Sequence, residues 1–83
     1  MKYKVGDRFV WKMTPPLEEY KNDIYELNYN EFKDLYVLET LYTETGDYSI
    51  YSYGKYRDIE ALIDSNFKKM GRFWLDLLIV RRG

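Results

Sequence analysis

The absence of both cysteine and histidine constrains this chain more than any other feature of its sequence. Without cysteine there are no disulfides and no thiolate-bound zinc ions to hold a small domain together. A chain of 83 residues buries only about 60–65% of the surface that it exposes when unfolded, so its core is thin. Large side chains must fill that core, and aromatic residues supply 19% of the sequence, ten of them tyrosines.

The same two absences bear on function. Histidine is the commonest general base and the commonest transition-metal ligand, and cysteine is a strong nucleophile. We therefore expect a non-enzymatic protein without catalytic, cofactor-binding or metal-binding residues. We expect one domain, residues 1–83, that acts by binding another molecule.

The expected location is the cytoplasm. A secreted domain of this size usually carries disulfides, so a reducing interior suits a chain without them. Residues 1–6 lack the apolar stretch of a signal peptide. The longest apolar run, residues 77–80, is far too short to cross a bilayer, and no membrane contact is expected.

Charge is distributed unevenly along the chain, although the net charge is only −1. Residues 1–13 carry four bases against one acid, a net charge of +3. Residues 14–47 carry nine acids against two lysines, a net charge of −7, and residues 48–83 carry seven bases against four acids, a net charge of +3. Such a chain can present two faces of opposite sign if its fold separates them.

Alternation of apolar and polar side chains predicts strands over residues 8–13, 24–29, 35–43 and 48–53. Two prolines follow the first strand and end it, because proline has no N–H to donate to a sheet. Residues 44–47 contain a glycine that can adopt a positive φ, and strand-forming residues flank them. This is the clearest hairpin signal in the chain.

The pattern changes to a helical period after Gly54. Apolar side chains then fall on one helical stripe: Ile59, Leu62, Ile63, Phe67 and Met70. We predict one amphipathic helix over about residues 58–70, with Gly71 as the C′ residue. Asp58 is either its N-cap or an acid near the positive end of the helix dipole. Residues 73–80 are apolar on both faces and favour a buried strand, with a helical continuation over 72–77 as the alternative.

Residues 4–9, Lys-Val-Gly-Asp-Arg-Phe, resemble the turn that precedes the first strand of many SH3-like small barrels. With the tyrosine-rich hairpin and the helix, residues 3–56 resemble small accessory proteins of phages and prophages of Gram-positive bacteria. The resemblance implies a binding module encoded by a mobile element, with roles from nucleic-acid handling to inhibition of host defence. The expected fold is α+β: an antiparallel, partly closed SH3-like sheet of about five strands crossed by one helix.

The acidic middle of the chain offers the first candidate surface, which includes Glu18, Glu19, Asp23 and Glu26. These carboxylates fit a solvated loop without further function. Paired carboxylates could also perform acid–base chemistry or hold Mg²⁺. A third interpretation is mimicry, in which spaced carboxylates imitate nucleic-acid phosphates and occupy a basic groove of another protein.

A second candidate surface combines tyrosines with basic residues around the predicted hairpin. Its members are Tyr42, Tyr48, Tyr51, Tyr53, Lys55, Tyr56 and Arg57. Aromatic rings interleaved with cations bind single-stranded nucleic acid by stacking and phosphate pairing. Tyrosine is also an ordinary strand residue and a frequent anchor of protein interfaces.

A third candidate surface lies in the apolar C-terminal segment, where Trp74, Leu78 and Val80 share one face of the predicted strand. These side chains could complete the core beneath the helix or form the seam of a homodimer. Our leading hypothesis is a protein–protein interactor from a phage or other mobile element that inhibits a host defence nuclease. The alternative is a nucleic-acid-binding accessory protein that uses the second surface. A structural role, such as a small virion or connector component, is not distinguished from the leading hypothesis by the sequence.

Overall fold

Five antiparallel strands and one helix make up the regular structure of residues 1–16 and 18–71, the part of the chain that the computed structural model describes. The strands are β1 (Arg8–Trp11), β2 (Ile24–Asn30), β3 (Leu35–Tyr42), β4 (Ile50–Gly54) and β5 (Phe67–Lys69). The α-helix α1 spans Tyr56–Asn66, and a short 3₁₀ turn spans Glu18–Tyr20.

The strands form one sheet in the order β4-β3-β2-β1-β5. Strand β1 is therefore internal and pairs on one side with β2 and on the other with β5, where Phe9 lies opposite Lys69. Two backbone hydrogen bonds extend the β1–β5 pairing. The N–H of Lys12 donates to the carbonyl of Asn66 at 3.0 Å, and that of Met70 donates to Arg8 at 2.8 Å.

The core lies between one face of the sheet and α1. Strand residues Phe9, Leu27 and Leu38 are fully buried, and Ile59 and Ile63 meet them from the helix. Aromatic rings extend this core toward β5, where the Trp11 and Phe67 ring centroids lie 4.5 Å apart. Large rings thus supply the apolar volume that the short chain requires.

The connection between β2 and β3 is a tight turn organised by Asn30. Its side-chain oxygen accepts hydrogen bonds from the backbone N–H groups of Phe32 at 3.0 Å and Lys33 at 3.2 Å. Asp34 then adopts a positive φ of 54°, which aspartate tolerates better than most residues. The turn leaves Phe32 at its tip. In the next connection Gly46 has a φ of 81°, as the hairpin signal predicts.

The predicted helix over 58–70 is wrong at both ends. Lys55 occupies the N-cap and makes no side-chain capping hydrogen bond. Asp58 lies in the first turn, so it is not the N-cap but is the predicted acid near the positive end of the helix dipole. The helix ends at Asn66, so Gly71 is not its C′ residue. Phe67 still fills the core, but from a strand, because β5 supplies the hydrogen bonds that β1 requires on its second side.

The α+β class, the antiparallel sheet of five strands and the single helix agree with the prediction for the described residues. The sheet is not closed, because β4 and β5 are its two edges within that part of the chain. The SH3-like assignment is accordingly not confirmed. Helix α1 has 11 residues, and no helix in the described ranges is long and apolar enough to span a bilayer.

Candidate functional site

The sheet has a second face that points away from α1. Neighbours of the buried residues Phe9, Leu27 and Leu38 point to this side, because successive strand side chains alternate. We call this surface the outer face. Strand register arranges it in two rows: Arg8, Glu26, Glu39 and Ile50 in one, and Asn28, Val37 and Tyr53 in the other.

The β1–β2 half of the outer face is polar and internally paired. Arg8 Nε lies 3.0 Å from Glu26 Oε2 across the two strands, and Asn28 Nδ2 donates to Glu26 Oε1 at 3.1 Å. Glu26 also lies directly opposite Glu39 of β3. Adjacent carboxylates repel each other, and the Arg8 guanidinium offsets part of that repulsion.

The β3–β4 half is apolar and open to solvent. The exposed fractions of Tyr48, Ile50 and Tyr53 are 64%, 50% and 66%. Phe32, at the tip of the β2–β3 turn, is 94% exposed. Single exposed apolar side chains are ordinary, but several on one side of a sheet indicate an interaction surface.

A shallow groove of about 450 Å³ joins these features. Its lining residues come from the turn, from strands β2, β3 and β4, and from the segment before β4, and among them are Asn28, Asn30, Glu31, Phe32, Val37, Glu39, Tyr48 and Ile50. The lining thus combines apolar side chains with the carboxylates of Glu31 and Glu39.

Two phenols beside the groove remain neutral at physiological pH. Partial burial and then the charge of Glu39 raise the pKa of the Tyr48 phenol above its usual range. A hydrogen bond from the Tyr29 hydroxyl to the carboxylate of Asp34 raises the pKa of Tyr29. Neither phenol therefore adds charge to this end of the outer face, where the charged groups are the carboxylates and Lys33.

The acidic residues singled out in the sequence do not form one surface. Glu26 lies on the outer face, whereas Glu18 and Glu19 are exposed on the 3₁₀ turn. Asp23 is only 4% exposed, and no described group donates a hydrogen bond to its Oδ1. Burial raises the pKa of Asp23 above its usual value, and a backbone hydrogen bond from Glu44 opposes that shift.

The tyrosine and basic residues are divided between two sides of the sheet. Tyr48 and Tyr53 belong to the outer face, where Tyr48 also lines the groove, and Tyr42 is 47% exposed at the end of β3. Tyr51 and Tyr56 pack on the helix side. The ring centroids of Tyr51 and Trp11 lie 5.5 Å apart. The Tyr56 hydroxyl accepts a 2.8 Å hydrogen bond from the backbone N–H of Tyr3.

Lys55 and Arg57 are exposed at the start of α1, immediately after β4. Trp74, Leu78 and Val80 lie outside the described residues. The candidate surfaces predicted from the sequence do not include four residues that line the groove: Phe32, Val37, Glu39 and Ile50. For Val37, Glu39 and Ile50 the missed signal is strand alternation, which places them opposite the buried side of β3 and β4. For Phe32 no periodic pattern exists, because it lies in a turn.

Within the described ranges, no group of three or more acidic side chains is arranged to hold a metal ion. The outer face therefore offers apolar contact, hydrogen bonding and negative charge. No protein-family model, curated protein or solved structure matches this chain.

Proposed function

We propose that this protein binds a protein partner through the apolar half of its outer face and catalyses no reaction. The observation that carries the proposal is the exposure of Phe32, Ile50 and Tyr53 on one side of the sheet. Aromatic side chains anchor protein interfaces because they bury a large area with little loss of conformational entropy. Hydrogen-bonded strands hold two of the three side chains in place, so binding requires little reorganisation.

Charge defines the chemistry of the partner. Glu31 and Glu39 line the groove beside these apolar side chains, and Lys33 is the one base in the β2–β3 turn. A complementary surface is an apolar patch bordered by lysine or arginine, because opposite potentials guide association and disfavour other partners. Such a border makes the association rate fall as salt concentration rises.

The resemblance of residues 3–56 to accessory proteins of phages suggests a mobile-element origin and a target in host defence. Proteins that cut or hold nucleic acids present basic surfaces to phosphates. An acidic-bordered apolar face suits such a target, so we propose that the protein inhibits a host nuclease system by occupying its basic surface.

A comparison of two lysine variants tests the proposal. Wild-type protein, Ile50→Lys on the outer face and Ala61→Lys on the exposed side of α1 are used to capture proteins from the native host. We expect one protein to be retained by the wild type and Ala61→Lys and lost with Ile50→Lys. Once purified, that protein should bind the wild type more weakly at high salt than at low salt. Equal retention of every captured protein by both variants would contradict the proposal.

A nucleic-acid-binding role is the alternative, favoured by the exposure of Tyr53, Lys55 and Arg57 along one short stretch. Stacking on tyrosine and phosphate pairing would be its mechanism. Here Lys55→Ala combined with Arg57→Ala should abolish binding of single-stranded DNA or RNA, and binding should weaken steeply with salt. Failure of the wild type to shift either nucleic acid at low salt would eliminate this alternative.

A further inference from the structure

Within the described residues, the two edges of the sheet differ in how they are protected from pairing. Edge strands that remain single are usually short, charged or interrupted by proline. Strand β5 fits that description, because it has three residues and carries Lys68 and Lys69. Strand β4 does not. Its five residues, Ile-Tyr-Ser-Tyr-Gly, contain no charge and no proline.

The charges that flank β4 are arranged for antiparallel pairing of the strand with itself. Asp47 precedes the strand, and Lys55 and Arg57 follow it, and all three residues are exposed. In an antiparallel pair, the beginning of one strand lies beside the end of the other. Two copies of β4 paired in this way bring the acid of each copy beside the bases of its neighbour.

We propose that the protein forms a symmetric homodimer in which the β4 strands of two copies pair antiparallel and join their sheets into one. The charge condition sets the register: Asp47 lies opposite Lys55 when the two-fold axis passes through Tyr51. Arg57 lies in the first turn of α1 and adds positive charge just beyond that end of the seam. Uncharged side chains fill the centre of the seam, and each charge contact occurs twice.

A second copy suits this edge better than an unrelated peptide. An incoming strand must carry a base at one end and an acid at the other with an uncharged centre, and β4 with its flanks already has that pattern. Pairing at the edge leaves the outer faces of both copies open and places them side by side. The proposal is therefore independent of the identity of the partner that the outer face binds.

Charge reversal and charge exchange test the dimer. The mass of the full chain is measured by sedimentation over a range of concentrations. We expect a dimer whose dissociation constant rises at least about tenfold in Asp47→Lys and in Lys55→Glu combined with Arg57→Glu, because two attractive contacts become repulsive. The triple variant, which carries all three changes, should restore the wild-type constant. All three residues are exposed, and circular dichroism checks that each variant is folded.

Hydrogen exchange of the wild-type protein provides a measurement without substitutions. Backbone amides of β4 should become more protected as concentration rises, while those of the shorter β5 edge should not. A monomer mass at every concentration would overturn the proposal. So would a dimer whose dissociation constant is the same in the wild type and in both reversal variants, since its seam would then lie elsewhere, as in the C-terminal segment.

Discussion

Asp64 ties the N-terminal segment to α1. Its Oδ1 accepts hydrogen bonds from the Tyr3 hydroxyl at 2.5 Å and from Lys2 Nζ at 2.9 Å, and its backbone carbonyl accepts one from Lys12. Tyr3 itself is buried in the core. The Tyr3 hydroxyl first, and then Lys2, lower the pKa of Asp64 below its ordinary value of 3.8.

Replacement of Asp64 by Asn should lower stability at neutral pH. The folded-state pKa is depressed, so the stabilisation is present above the unfolded value of 3.8 and is lost as pH falls through the lower folded value. Urea unfolding at pH 7 should show a lower midpoint for the variant, and the difference should narrow toward pH 3. Glu19→Gln, an exposed carboxylate elsewhere, serves as the control and should change little. An equal midpoint at pH 7 would contradict the role of Asp64.

Replacement of Asp23 by Asn should have the opposite sign. Burial raises the folded-state pKa of Asp23, so the charged form is penalised above that pKa and the penalty fades as pH falls toward 3.8. An amide removes the charge and offers N–H donors near Glu19 and Glu44. We expect stabilisation of about 1 kcal/mol at pH 7 that disappears by pH 4. Destabilisation at pH 7 in urea unfolding would show that the carboxylate has a partner that the asparagine lacks.

At the residue scale, the burial of Asp23 could not be predicted from the sequence. Glu18, Glu19 and Asp23 look equivalent as members of one acidic stretch. The difference arises because Asp23 directly precedes β2, whose first residue, Ile24, is 2% exposed. Burial of that position depends on contacts from distant parts of the chain, which a local pattern does not contain.

At the element scale, the junction of α1 and β5 separates what periodicity can predict from what it cannot. The strands β2 and β3 follow from alternation, and the presence of a helix after Gly54 follows from the change of period. Phe67 fits the helical stripe equally well as the last turn of a helix or the first residue of a strand. The choice between helix and strand at Phe67 depends on β1. The backbone groups on the second side of β1 require hydrogen-bond partners, and β1 lies far from Phe67 in the sequence, so a local pattern does not contain this requirement.

Truncation of Phe67 tests this junction. Phe67→Ala removes a ring that is 2% exposed and contacts Trp11, and should cost about 3–5 kcal/mol in the free energy of unfolding. Met70→Ala is the matched control. A helix over 58–70 would place both side chains on the same buried stripe, whereas the observed strand leaves Met70 partly exposed beyond β5. We expect the loss at Met70 to be below about 1 kcal/mol. Similar losses at both positions would favour the longer helix.

At the scale of the whole molecule, the outer face could be predicted only in part. The sequence identifies Glu26, Tyr48 and Tyr53 as candidates because of their charge or aromatic character. It does not show that they lie on one face of the sheet. Their grouping with Val37 and Ile50 depends on the register of three strands, which is set by pairing between residues far apart in sequence. The tyrosine list also divides, because alternation and a β-bulge send neighbouring rings to opposite sides.

The central position of β1 leads to a further expectation about the molecule. A fragment that ends at Asn66 retains four strands and the helix but lacks β5 and the Phe67 ring. It should therefore remain unfolded, because the core loses a fully buried side chain and β1 loses its second partner. Far-ultraviolet circular dichroism of the fragment beside the full chain measures this. A cooperative urea transition in the fragment would contradict it.

The β1–β5 pairing also has a consequence for biosynthesis. β1 ends at Trp11 and its last partner begins at Phe67, so a ribosome adds more than 50 residues between the two. At about 5–20 residues per second, the nascent chain spends roughly 3–11 s with an incomplete sheet. During those seconds the unpaired strands of neighbouring nascent chains can meet. Slow decoding ahead of the codon for Phe67 would lengthen that interval and lower the soluble yield without changing any amino acid.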